Sequence, residues 1–162
     1  MEIEELSALA KKLPQGEFSA RFPHLFLVFR EAQSGSITPF SFHTEAATPS
    51  SAPLLRSVLR VLPLVKSENN PYADRVSIGR ARNCDIILRD GSVSKLHAHV
   101  RAEADGKWVI IDLDSQNGTS VNDERAKPNQ PLPLNADDLV TVGTVGVRVL
   151  DARVVHGILT RM

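Results

Sequence analysis

The chain has a single cysteine, Cys84, among 162 residues, so no disulfide can close within it. Nor does any Cys/His grouping have the spacing of a zinc site, and neither metal nor cofactor is expected. A reducing compartment, the cytoplasm, is the natural setting. Net charge is also missing: 19 Lys and Arg stand against 19 Asp and Glu. That balance excludes a dedicated nucleic-acid coat or membrane-surface binder. No apolar run approaches the roughly 20 residues of a membrane span. The start, Met1-Glu2-Ile3-Glu4-Glu5, is acidic where a secretory leader is basic. There is no internal repeat and no coiled-coil heptad.

What is present suffices for one domain with an extension, since 42% of the residues are hydrophobic. Ile3, Leu6, Leu9, Ala10 and Leu13 recur at helical spacing, with acidic residues first and Lys11-Lys12 last, and predict a helix over 2–13. Pro14 and Gly16 are expected to end it. Leu25–Phe29 reads as a short buried strand, and Gln33–Pro53, rich in Ser, Thr, Pro and Ala, as a linker. From Leu54 onward, short β-branched runs alternate with turn residues, the texture of an all-β sandwich. Strands are expected at 59–65, 75–79, 85–88, 98–102, 108–113, 119–121, 139–142 and 145–150, the one opening at Trp108 covered on both faces. The expected organisation is an N-terminal extension over 1–57, a sandwich domain over 58–151, and a C-terminal segment over 152–162 packing on it.

Charge is unevenly spread. Between 75 and 101 lie Arg75, Arg80, Arg82, Arg89, Lys95 and Arg101 against only Asp85 and Asp90. In and beyond this basic stretch stand three signatures in order: Ile78-Gly79-Arg80, then Ser94-Lys95-Leu96-His97-Ala98, then Asn117-Gly118-Thr119-Ser120-Val121-Asn122. Together, and with the run from Pro63 to Arg75, they make residues 58 to 151 resemble the forkhead-associated (FHA) domain as found in small bacterial proteins. The resemblance implies an FHA-type β-sandwich (SMAD/FHA-like) of two antiparallel sheets, carrying here an N-terminal α-helical extension. It also implies a function: docking onto threonine-phosphorylated proteins, a kinase or its substrate, in bacterial Ser/Thr kinase signalling.

Phosphothreonine carries nearly two negative charges and several acceptor oxygens, so a reader needs cations and hydroxyl or amide donors brought together by loops. The resemblance implies Arg80 as the phosphate anchor, Ser94 as a hydroxyl donor and Lys95 as a second cation. His97 would support the loop from inside, and Asn117 would contact the peptide backbone. Gly79 and Gly118 would shape the turns. Gln116 stands where the family often has a phosphate-binding Thr or Ser. Asn122 reads equally as a peptide contact or a turn residue. Arg82, Asn83, Ser92 and the loop 127–135 are candidates for side-chain preference, Arg82 for an acidic follower or as plain surface charge. His99 alternates with Ala98 and Val100 and is expected to be exposed.

Catalysis is not expected. Asp112 and Asp114 share a strand face without a partner acid or base, Cys84 has no activating histidine nearby in sequence, and Gly79-Arg80-Ala81-Arg82 is no P-loop. The rival reading is a phospho-independent scaffold or self-association module using the same sandwich. A DNA-binding N-terminal part is disfavoured by five basic against six acidic residues within 1–57.

Overall fold

The computed structural model describes residues 2–32, 37–40, 57–68 and 70–162. Among these residues twelve strands form two stacked sheets, with three helices on one outer face. The larger sheet is built from β1 (Phe26–Ala32), β2 (Ile37–Pro39), β3 (Ser57–Pro63), β8 (Thr119–Val121), β9 (Glu124–Arg125), β11 (Leu139–Val142) and β12 (Val145–Leu150), ordered β2-β1-β12-β11-β8-β9 with β3 also on β1. The smaller sheet has β10 (Pro131–Leu134), β7 (Trp108–Asp112), β6 (Ala98–Ala102), β4 (Val76–Gly79) and β5 (Ile86–Ile87), in that order. Pairing is antiparallel except between β4 and β5, which run parallel. β7, expected to be covered on both faces, is paired on both edges, and Val109, Ile110 and Ile111 are all buried.

Alternation decides the faces. Val76, Ile78, Ala98, Val100 and Ile110 of the smaller sheet meet Val121, Val140, Val142, Val145, Val147 and Val149 of the larger one in a single core. β1 is apolar at consecutive positions because it faces two layers. Leu27 and Phe29 enter the inter-sheet core, whereas Phe26 and Val28 meet the helices.

Those helices are α1 (Ile3–Lys12), α2 (Gln15–Arg21) and α3 (Ala152–Thr160). Leu6, Ala10, Phe18, Val155 and Leu159 bury against Phe26, Val28, Val61 and Leu150. Asp151 caps α3, its side chain accepting from the Val154 N–H at 2.9 Å. The first helix lies where periodicity puts it. It ends at Lys12, with Leu13 extended ahead of Pro14 as expected, and Pro14 then stands at the N-cap of a further helix, α2, about two turns long and held down by fully buried Phe18. The division expected at residue 57 runs through one hydrogen-bonded sheet, because β1 pairs along its whole length with β3 and also with β12. The expected linker 33–53 contains β2 at 37–39; its residues 33–36 and 41–53 lie outside the described ones.

Three further elements depart from expectation. β9 is too short to show a period, and β10 contains Pro131 and Pro133, tolerated because it is an edge strand. His99 is buried, at 6% exposure. It shares a cavity of about 340 Å³ with Tyr72, Arg75, Leu96 and Leu113, so the segment at 70–75 covers the face that alternation alone would leave to solvent. Burial, with help from Arg75 and Arg101, pushes the His99 imidazole pKa down. Among the described residues no helix is long and apolar enough to cross a membrane.

Candidate functional site

Three loops meet at one end of the sandwich: 80–85 after β4, 88–97 between β5 and β6, and 113–118 between β7 and β8. The first two are zipped together. The Arg80 N–H donates to the Ser94 carbonyl at 3.0 Å and the Ala81 N–H to the Lys95 carbonyl at 3.0 Å. So close is this approach that a Cβ at Gly79 would strike the Lys95 carbonyl oxygen and come within 2.9 Å of Cys84 Sγ. Only glycine fits there.

His97 ties the second loop to the third. Its Nδ1 accepts from the Ser94 N–H at 3.0 Å, which fixes the tautomer, and its Nε2–H then donates to the Gly118 carbonyl at 2.9 Å. The ring is wholly buried. Gly118 has φ +82°, and a Cβ there would meet the Arg125 guanidinium. Below the turn, buried Asp112 accepts from Ser115 Oγ (2.6 Å), the Ser115 N–H (3.1 Å) and Thr119 Oγ1 (2.6 Å). Burial alone would raise the Asp112 pKa, but these donors outweigh it and hold the carboxyl below its usual range.

On the solvent side, Arg80 is exposed and its Nε donates to the Val93 carbonyl at 3.1 Å. That bond fixes the guanidinium beside Ser94 and leaves its terminal nitrogens unpaired with any carboxylate among the described residues. Ser94 Oγ accepts from the Gln116 N–H at 3.1 Å, so its own proton is available to an incoming acceptor. Lys95 is exposed next to it. Asn117 Nδ2 donates to the Ser92 carbonyl at 2.8 Å, leaving its side-chain carbonyl oxygen open to a donor. A guanidinium, a hydroxyl donor and an amide acceptor thus stand on adjoining loops, with exposed Lys95 next in sequence to the hydroxyl, a set suited to a dianion carried on an extended peptide.

The remaining expected residues are placed as follows. Gln116 is exposed and contributes its backbone N–H to Ser94; its side chain extends into solvent. Asn122, at φ 49°, donates to Asp138 Oδ1 at 2.8 Å and accepts from the Leu139 N–H at 2.9 Å. Both ends of its amide are engaged in clamping β8 to β11, a turn role. Ser92 is likewise engaged: its Oγ donates to Asp90 Oδ1 at 2.6 Å and accepts from the Thr144 N–H (3.0 Å) and Thr144 Oγ1 (2.9 Å). Arg82 and Asn83 are exposed on the first loop, Asn83 beside the His99 cavity. In the 127–135 loop the Asn129 N–H donates to the Asp112 carbonyl at 2.7 Å.

Two residues escaped the sequence reading. Asp85 accepts from the Ser67 N–H (2.7 Å) and Oγ (2.5 Å), Asn70 Nδ2 (2.6 Å), the Ser77 N–H (2.7 Å) and Ser77 Oγ (2.9 Å). Burial alone would raise its pKa, but these bonds prevail and lower it. Only the clustering of Ser67, Asn70 and Ser77 in sequence hinted at this hub. The other is Arg125, whose guanidinium lies on the Gly118 backbone.

The family model for the FHA domain matches residues 76–143, which span all three loops. The oxoglutarate dehydrogenase inhibitor of Corynebacterium diphtheriae is 31% identical over 122 residues, covering 72% of this chain and 77% of that protein. The chain belongs to the FHA domain family. Among solved structures, the N-terminal FHA domain of Rad53p from S. cerevisiae, in complex with a phosphothreonine peptide, superposes with a TM-score of 0.51 at 17% identity, over 83% of this chain and 98% of that one. This likeness shows the FHA fold. Protein phosphatase 2C 70 of Arabidopsis thaliana is 35% identical over 78 residues, 43% of this chain but 13% of that protein. The chain likewise spans only 5% and 18% of two other Arabidopsis FHA-domain proteins.

Proposed function

We propose that this FHA chain is a phosphothreonine-dependent docking module that binds threonine-phosphorylated partners, kinases or their substrates, in bacterial Ser/Thr kinase signalling in the cytoplasm. The observation that carries the reading is the arrangement at Arg80 and Ser94: a guanidinium pinned through Nε with its fork free, beside a hydroxyl whose lone pair is already taken. Charge-assisted hydrogen bonds to a phosphate then form without reorganisation, each worth about 1.5–3 kcal/mol. Lys95 adds charge, and the open carbonyl oxygen of Asn117 takes a backbone N–H of the peptide.

The same reading makes the chain a binder and not an enzyme. Asp112 is buried beneath three donors. The Cys84 thiol is pushed up in pKa by burial and donates to the Lys95 carbonyl at 3.2 Å. Each of these groups holds the loops together and is spent in doing so.

The test is titration of one peptide in phosphothreonine, phosphoserine and unphosphorylated forms against the full chain and against R80A. Phosphate-dependent binding that drops at least about tenfold in R80A, with melting unchanged, is expected. Equal affinity for phosphorylated and unphosphorylated forms would replace this reading by the phospho-independent scaffold.

A further inference from the structure

Arg125 stands apart from the other arginines near the recognition loops. It lies on β9, opposite Ser120 in register, and is exposed. Its guanidinium lies against Gly118, where a Cβ would meet Nη2 and Cζ. Glycine at φ +82° makes that seat. Among the described residues no carboxylate pairs with it, although Asp123 and Glu124 immediately precede it. The chain therefore holds a cation with no carboxylate partner against Gly118, next in sequence to Asn117, the residue whose open carbonyl oxygen would take the peptide backbone. Ser92, weighed above for setting side-chain preference, has its hydroxyl fully engaged with Asp90 and Thr144.

We propose that Arg125 is a specificity-determining residue that reads an acidic side chain of the bound peptide, so that the preferred ligand class is phosphothreonine with an Asp or Glu within a few residues. This rests on the phosphothreonine reading above. A guanidinium with no carboxylate of its own has no ion pair to break when a peptide carboxylate arrives. A carboxylate there also meets a planar fork that it can engage with both oxygens.

The experiment is calorimetric titration of the full chain with synthetic phosphothreonine peptides in which Asp, Ala or Lys is scanned through the positions flanking the phosphothreonine, alongside their unphosphorylated forms. The readout is the ratio of affinities between the Asp and Ala peptides. At one position or more that ratio is expected to be about threefold to fivefold, the range of an exposed ion pair, and to shrink as salt is raised. In R125Q it is expected to fall to about one, and in R125E the Lys peptide is expected to overtake the Asp peptide at the same position. An Asp preference that survives in R125Q, or one abolished instead by R82Q, overturns the proposal, as does wild-type binding that depends on phosphate yet ignores the scanned residue. Loss of phosphate dependence across all peptides would instead sink the docking function itself, and this inference with it. The inverted preference in R125E is a gain, so it cannot be mimicked by a variant that merely folds poorly.

Discussion

At the scale of single residues the site depends on atoms that are already engaged. His97 offers one nitrogen to Ser94 and the other to Gly118, so His97→Ala leaves the Ser94 N–H without its acceptor, takes from the Gly118 carbonyl one of two donors, the Gly143 N–H remaining, and opens a cavity. The expected cost is about 2–4 kcal/mol, read as a fall of several degrees in melting temperature together with weaker peptide binding. Unchanged melting would show that the ring holds nothing. Gly79→Ala is expected to be worse for recognition than for folding, since its Cβ displaces the Lys95 carbonyl and with it the loop that carries Ser94. Phosphopeptide affinity should drop at least about tenfold, and a wild-type affinity in that variant would contradict the close approach. What sequence could not reveal at this scale is occupancy. Asn122 and Ser92 carry suitable donors and acceptors, but whether those are free depends on Asp138 and Thr144, distant in sequence and adjacent only after folding.

At the scale of elements the helical layer makes a distinct prediction. Phe18 has no exposed surface and anchors a helix of only seven residues, too short to persist alone. Phe18→Ala is expected to cost about 3–5 kcal/mol and lower the melting temperature by roughly 10 °C, measured by calorimetry. A loss below about 1 kcal/mol would mean that the layer is ornamental. Legibility followed the strength of local patterning. β6 and β8 lie at 98–102 and 119–121, as their alternation predicts, because each has a buried face and a turn at its end. α2 was hidden because Pro14 and Gly16 read as terminators, whereas proline is also at home where a helix begins. β10 was hidden by its two prolines, and the buried state of His99 by a covering segment that no alternation can report. The three loops at one end of the sandwich were the most legible part, because glycine at 79 records a close backbone approach and glycine at 118 a positive φ.

At the scale of the whole molecule, two carboxylates link stability to pH. Asp85 and Asp112 have folded-state pKa values below the ordinary carboxylate range near 4. As acidity rises, the unfolded chain takes up these protons first. The stabilisation is therefore complete above that range and is lost as pH falls through the lower folded values. Melting temperature should begin to fall as pH drops below the ordinary imidazole range near 6.5, because buried His99 resists protonation, and drop steeply on further acidification into the carboxylate window. D112N should start lower and lose part of the steepness; an identical slope would remove Asp112 from the linkage. The loops that these carboxylates support are not the property of one sheet. The loop at 88–97 belongs to the smaller sheet, yet Ser92 hooks it to Thr144, in the turn between two strands of the larger one, and Asn117 leads into β8 across the gap. A phosphopeptide seated there would act as a suture between the two halves of the body. Its occupancy would slow amide hydrogen exchange around residues 143–145 as well as at 94–97, and at a hundredfold excess over Kd would raise global stability by about 2.7 kcal/mol.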